Sequence, residues 1–260
     1  MADELTMLLE LAEPLAAQRV KVEWDPAGIV LSKQAAIQIE EQWRLSLAEA
    51  KAAGRSLFNG AISRLISAGR DGQGNVALRL GPTDYKTFLV SCMLDGEWFA
   101  KMMPECVAAA LGNSALLTQG DRALLGVRSQ KVSAYPGRAH LFGGVLEVLG
   151  TEKFPASAAG LVAHLQLELQ EEAGMGADDL SAEGPRVLGL AYDKVLHQPE
   201  LFWQWETRIH LEDVARRINE EEHNGTVLVD RERVGELMGA PMTPVARYVV
   251  EKWAKGRLAE

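Results

Sequence analysis

Three glutamates, Glu168, Glu171 and Glu172, stand at positions i, i+3 and i+4 in the run LELQEEAGM, residues 167–175. In a helix they are neighbours, and like charges at these spacings destabilise it. The wheel makes the problem sharper. Leu161, Val162, Leu165 and Leu169 form an apolar stripe, Glu172 falls between Leu161 and Leu165, Glu168 lies beside them, and Glu171 is one step further round. The acids border a face that must be buried, where an unpaired carboxylate is costly. No Lys or Arg occurs in residues 154–185 to neutralise them. The partner is therefore a metal ion, a backbone donor or a distant basic side chain. Carboxylate oxygens are the ligands that Mg²⁺ prefers, and Mg²⁺ bridges carboxylates to substrate phosphates. The alternative is a solvated, glutamate-rich helix end.

The surroundings extend both readings. Gly174 is a natural helix stop. Gly143-Gly144 precedes the helix, followed by Glu147; paired glycines let a ligand approach the backbone and leave carbonyls free, though they also mark bulges. Arg138 and Lys131 flank that pair and could meet phosphates or stay solvated. Trp203 and Trp205 share one face of a strand and could stack on a base or pack in the core. Tyr135 is a looser stacking candidate. The run NEEEHNG (219–225) is either a solvated acidic loop or a source of a general base, Glu222 or Glu221. Glu200 is an acid at a strand start, and His164, one turn before Glu168, is a packing residue or a prop rather than a ligand.

Glu168-Leu169-Gln170-Glu171-Glu172-Ala173-Gly174-Met175 matches E-U-x-E-E-x-G-U, the second half of the Nudix hydrolase signature G-x5-E-x7-R-E-U-x-E-E-x-G-U, with U a bulky aliphatic residue. The chain resembles that family. Gly144 looks like the opening glycine. Leu167 stands where the signature has arginine, the gap from Gly144 to Glu168 is about nine residues too long, and Glu147 and Glu152 are the candidates for the first-half glutamate. One branch of the family, the UDP-glucose pyrophosphatases, has such a long insertion and no such arginine. LRLGPTDYKTFL (78–89), SQKVSAYPGRAHLFGG (129–144), LGLAYD (188–193) and PELFWQWE (199–206) also look like that branch.

The resemblance implies an α/β/α sandwich with a mixed sheet and hydrolysis of a diphosphate linked to another group, such as UDP-glucose or UDP-galactose. It implies Mg²⁺ or Mn²⁺ held by Glu168, Glu171, Glu172 and a carbonyl near Gly144, with Glu200 as a further metal candidate. Glu168 or Glu222 is then the base, and Tyr135, Arg138, Gly143 and Trp203 contact substrate. ADP-ribose, a dinucleotide or a CoA derivative are other substrates the family allows. A nucleotide-sugar binder without catalysis is the reading from another class.

Several elements must position these groups. A helix is expected over 33–53, stopped by Gly54, and a hairpin over 58–85 with a turn at Asp71-Gly72 and Gly74-Asn75. Strands are expected at 20–26, 122–132, 186–193, 200–211 and 226–230, short strands within 134–148, and helices over 157–173 and the last residues. Residues 211–222 read as a helix or an acidic loop. Interleaved strands and helices imply a mixed α/β layer fold. The division suggested is an α+β part over 1–120, sharing the sheet or separate, and a Nudix-type domain over 121–260. Over the 260 residues the net charge is −9, which disfavours nucleic acid and anionic membranes and leaves a small molecule as partner. Cys92 and Cys106 form no metal-ligand spacing. The acidic opening lacks a basic leader, and no apolar run is long enough to span a membrane, so a cytoplasmic protein is expected.

Overall fold

Alternation decides which way the strands face. In QPELFWQWE, Leu201, Trp203 and Trp205 enter one core cluster and Phe202 enters another, so this strand is covered on both sides. The structure, a computed structural model, describes residues 4–237 and 239–256. Its strands are β1 Leu5–Ala16, β2 Val20–Trp24, β3 Ala61–Arg70, β4 Val76–Asp84, β5 Gly112–Gln119, β6 Arg122–Arg128, β7 Ala139–His140, β8 Phe142–Val145, β9 Arg186–Asp193, β10 Gln198–Glu206 and β11 His223–Asp230. Its α-helices are α1 Lys33–Ala52, α2 Tyr85–Phe88, α3 Gly96–Met102, α4 Ala158–Ala173, α5 Leu211–Ala215, α6 Val234–Leu237 and α7 Pro244–Lys255.

The main sheet runs β1-β9-β10-β5-β6-β11, and β10 and β5 are parallel while the other neighbours are antiparallel. Helix α4 packs on one face through Leu161, Leu165 and Leu169, and α7 on the other through Val245, Val249, Val250 and Trp253. The architecture is a mixed α/β sandwich with helices on both faces. A second sheet, β2-β4-β3, adds Val20, Val76, Leu78 and Leu80 to the α4-side core. Helix α1, capped by the Ser32 hydroxyl accepting from Ala35 N at 3.1 Å, packs Ala35 and Ile39 on Val90, Phe99 and Cys106.

A division at residue 120 falls in the turn between β5 and β6, which pair as neighbours. The sheet takes β1 and its central strand β5 from the N-terminal part. Neither was legible: β1 opens with no turn signal, and β5 follows a stretch broken by Pro104 and Gly112. Residues 85–102 are mainly helical, with a π-helical turn over Leu89–Leu94. The strand expected over 122–132 ends at Arg128. Among the described residues, no helix is long and apolar enough to cross a membrane.

One detail of the sheet makes room for a site. Strand β5 pairs β10 along one edge, while its other edge is shared, with β8 opposite residues 112–115 and β6 opposite residues 117–119. The two strands splay from that edge, and the splay opens into a cleft.

Candidate functional site

The cleft has a volume of about 1060 Å³, and Gly143, Gly144, Glu168, Glu171, Glu172, Glu200, Glu221 and Glu222 line it together with Arg128, Lys131 and Tyr135. Residues 46–57 and 85–93 contribute part of the lining, including Glu49, Arg55 and Met93. The cleft therefore lies between the splayed sheet and the N-terminal elements.

The glutamate helix reaches the cleft because its end is held twice. Gly174 adopts the left-handed conformation at φ 60°, its N–H donates to Gln170 O, and Met175 N donates to Leu169 O at 3.2 Å. Met175 is then buried against the core. The Gly-Met pair that ends the acidic motif is thus a helix stop with its hydrophobic staple. Just beyond, Asn219 N donates to Glu172 O at 2.8 Å, which brings the acidic loop with Glu221 and Glu222 against the helix end.

Glu172 is buried, as its wheel position requires, and its Oε2 accepts from Gly143 N at 2.8 Å. His223 Nε2 stands 3.4 Å from the same oxygen without a hydrogen bond of its own. Glu168 lies flat on Gly144, where a Cβ would sit 2.8 Å from its Oε2. A larger residue there would displace that carboxylate from its present position. Gly143 has φ 137°, and a Cβ there would come within 2.3 Å of Asn113 O; this position needs glycine on both counts. Glu171 is exposed at the cleft wall.

His164 is fully buried beneath Glu168, with Nε2 3.2 Å from Glu168 Oε1. The approach is within ion-pair distance, but Nε2 makes no hydrogen bond. Burial drives His164 down to about 4, and burial followed by Glu172, Glu171, Glu147 and Glu222 drives Glu168 up to about 8. Near pH 7 His164 is neutral and Glu168 is mostly protonated, and a cation would favour the Glu168 carboxylate. Beneath them, Asn113 accepts from Trp203 Nε1 at 2.8 Å and donates to Leu161 O at 2.9 Å, tying the sheet to α4.

On the other face of the sheet, Glu200 accepts from the Ser114 hydroxyl and faces His140 Nε2 at 3.3 Å. His140 Nδ1 is 2.7 Å from the Thr243 hydroxyl oxygen, which also caps α7. Burial alone would raise Glu200, but His140, Ser114 and Arg128 outweigh it and hold it below its ordinary value.

The structure corrects part of the expected site. Trp203 is fully buried in the α4-side core, as is Trp205 nearly so, and neither can stack on a ligand. The reason is the central place of β10, covered on both faces. Arg138 is exposed and lays its guanidinium 5.2 Å over the Tyr135 ring. Tyr135 lines the cleft, but its hydroxyl is taken up by Asp193, to which it donates at 2.7 Å. Asp193, Arg128, His140 and Ser114 were not singled out from the sequence. Alternation over LGLAYD could have put Asp193 at a strand end; nothing local marked the others. Gly143, Gly144, Glu168, Glu171, Glu172, Glu200 and Glu222 share the one cleft.

The donor chemistry fits a divalent cation: carboxylates crowd one wall, and burial together with acidic neighbours raises one of them, Glu168. As the side chains stand, no group of three or more His, Cys, Asp or Glu among the described residues is arranged to hold a metal ion. Glu168 lies on Gly144 and Glu172 is engaged by Gly143.

No family model matches the chain, and no curated protein matches it by sequence. Solved structures resemble part of it. A MutT Nudix hydrolase from Burkholderia pseudomallei is 16% identical, with a TM-score of 0.38, over 55% of this chain and 96% of that one. A Nudix hydrolase from Nitrosomonas europaea is 14% identical, with a TM-score of 0.40, over 57% and 90%. A mutT/nudix family protein from Listeria innocua is 16% identical, with a TM-score of 0.38, over 55% and 90%. Each of these likenesses covers somewhat more than half of the chain.

Proposed function

We propose that the protein is a Mg²⁺-dependent pyrophosphohydrolase that cleaves a UDP-sugar, UDP-glucose or UDP-galactose, to UMP and a sugar 1-phosphate, acting in the cytoplasm. The observation that carries the reaction class is the buried end of α4. There Glu168 and Glu172 lie against Gly143-Gly144 on the cleft wall, and burial, then the neighbouring acids, lifts Glu168 to about 8. Such an arrangement is electrostatically unfavourable until a cation joins it. The sugar nucleotide follows from the resemblance of the motif and its flanking segments.

Glu168, Glu171 and Glu172 would hold the cation, Mg²⁺ or Mn²⁺, with a carbonyl of the Gly144 region. Bound there, the cation would polarise the phosphoryl oxygens and lower the pKa of a water. The chain's own residues do the rest. Gly143 N–H orients Glu172, and His164 supports Glu168 from below. Glu222 and Glu221, docked through Asn219, supply a carboxylate to accept the water's proton. Glu200, already satisfied by Ser114 and His140, is a positioned anion at the cleft rather than a principal ligand.

A second reading keeps the ligand and drops the chemistry. Leu167, in place of the signature arginine, packs against the core, and the carboxylates do not converge as they stand. A non-catalytic nucleotide-sugar binder would have both features. Product analysis decides between them: purified protein with UDP-glucose and Mg²⁺, beside Glu172→Gln. Release of UMP and glucose 1-phosphate that the variant loses supports hydrolysis. Binding of UDP-glucose with no product supports the binder. Cleavage of ADP-ribose, a dinucleotide or a CoA derivative in preference to UDP-glucose keeps the enzyme and replaces its substrate.

A further inference from the structure

Residues 129–137 join β6 to β7 along the edge of the cleft, and their ends are firmly held. Arg128 N donates to Arg138 O at 3.0 Å, Gly137 N to Arg128 O at 2.9 Å, and Ser129 N to Glu222 O at 2.8 Å. The tip is held differently. Arg128 Nε donates to Ala134 O at 2.7 Å, within the same hairpin. Among the described residues, the side-chain bond from the tip to another element is Tyr135 to Asp193, at 3.0 and 2.7 Å to its two oxygens. Asp193 is a rigid receiver. It is buried at the end of β9, and its Oδ1 also accepts from Val195 N at 2.8 Å and Leu196 N at 3.0 Å.

Tyr135 sits at φ 50°, a region that a non-glycine residue enters only when its surroundings hold it there. Arg138 covers its ring. With one face covered and the hydroxyl engaged, the side chain is a tether. What it tethers includes Lys131, a cation on the cleft lining that makes no ion pair among the described residues although carboxylates share that lining. A lysine that stays unpaired beside acids is free to meet an anion carried by a ligand.

We propose that Lys131 binds an anionic oxygen of the substrate's diphosphate and that Tyr135, through Asp193, is the positioning residue that keeps Lys131 over the cleft. The proposal rests on the reading of a diphosphate-containing substrate, and it moves Tyr135 from a stacking surface to a support.

The test uses the full chain and the variants Tyr135→Phe, Lys131→Met and both together. With UDP-glucose and Mg²⁺, Lys131→Met raises KM about tenfold and leaves kcat within about twofold, as expected for loss of a charge-assisted contact shared by ground and transition states. Tyr135→Phe raises KM in the same way, and the double variant is no worse than Lys131→Met alone, because both act on one contact. Trypsin reads the tether without activity: Tyr135→Phe speeds cleavage after Lys131 several-fold, while the melting temperature barely moves. Additive effects on KM, or unchanged cleavage in Tyr135→Phe, overturn the tether. An unchanged KM in Lys131→Met overturns the contact. A wild type that hydrolyses no nucleotide derivative sinks the proposed function instead. The inference is then decided by calorimetric binding of inorganic pyrophosphate with Mg²⁺, which it requires Lys131→Met to weaken about tenfold; no binding by the wild type, or equal binding by the variant, overturns it.

Discussion

Two His–Glu pairs stand on opposite faces of the same sheet, both at the cleft, both at nearly the same separation: His164–Glu168 at 3.2 Å and His140–Glu200 at 3.3 Å. Their carboxyls shift in opposite directions. Burial, then the neighbours Glu172, Glu171, Glu147 and Glu222, pushes the Glu168 carboxyl up to about 8, while the fully buried imidazole falls to about 4. Around Glu200 the neighbours are His140, Ser114 and Arg128, and the carboxyl is held down in spite of burial. Distance within a pair does not decide which way its carboxyl shifts; burial and the groups around it do. One pair is complete as it stands. The other waits for a positive charge.

The strongest way to break this comparison is catalytic. Glu168→Gln and Glu172→Gln are expected to lower kcat about a thousandfold, as loss of a metal-binding carboxylate does, whereas Glu200→Gln lowers it about tenfold. Steady-state hydrolysis of UDP-glucose measures all three, and equal losses would erase the distinction. Next in size is folding stability. His140→Ala removes the imidazole that faces Glu200 and helps hold its carboxyl down, and should cost about 2 kcal/mol in urea unfolding. His164→Leu should cost about 1 kcal/mol or less, because neither member of that pair is charged without metal. A larger cost at His164 would show that its pair is ionic after all.

Proton linkage sharpens the same contrast. A cation takes Glu168 as carboxylate, so a proton must leave when it binds. Apparent Mg²⁺ affinity should therefore rise with pH and level off above about 8, the value to which Glu168 is lifted. Titrations of Mg²⁺ at several pH values, in buffers of different ionisation heat, read both the slope and the proton released. In Glu168→Gln the slope should largely vanish. A similarly small effect concerns the satisfied pair: Thr243→Val removes the hydroxyl beside His140 and the cap of α7, for about 1 kcal/mol.

Local order carried much of the fold. The hairpin of β3 and β4, the long helix α1, the glutamate helix and the alternation of β10 all follow from periodicity and turn residues that act within a few positions. The buried edge of α4 was legible for the same reason: a wheel needs only one segment. That Glu172 must be buried is already stated by Leu161, Leu165 and Leu169 around it. The Gly143-Gly144 pair and Gly174 likewise announce close approach and a helix stop.

What a single segment cannot express is who faces it. β1 joins the sheet beside β9, and β5 takes its central place by pairing β10 as well as β6 and β8, so no local signal marked that placement. Trp203 and Tyr135 look alike as candidate stacking surfaces, yet one is sealed in the core by α4 and the other is tethered to Asp193, 58 residues on. The composition of the chain determined that an acidic cluster would sit beside an apolar stripe and need a counter-charge. Only the tertiary structure decided which acids share a cleft, that Glu200 is held by His140 and Ser114, and that Lys131 makes no ion pair among the described residues. The physical reason is range: propensity and periodicity act along the chain, whereas burial and Coulomb interaction depend on neighbours that folding alone brings together.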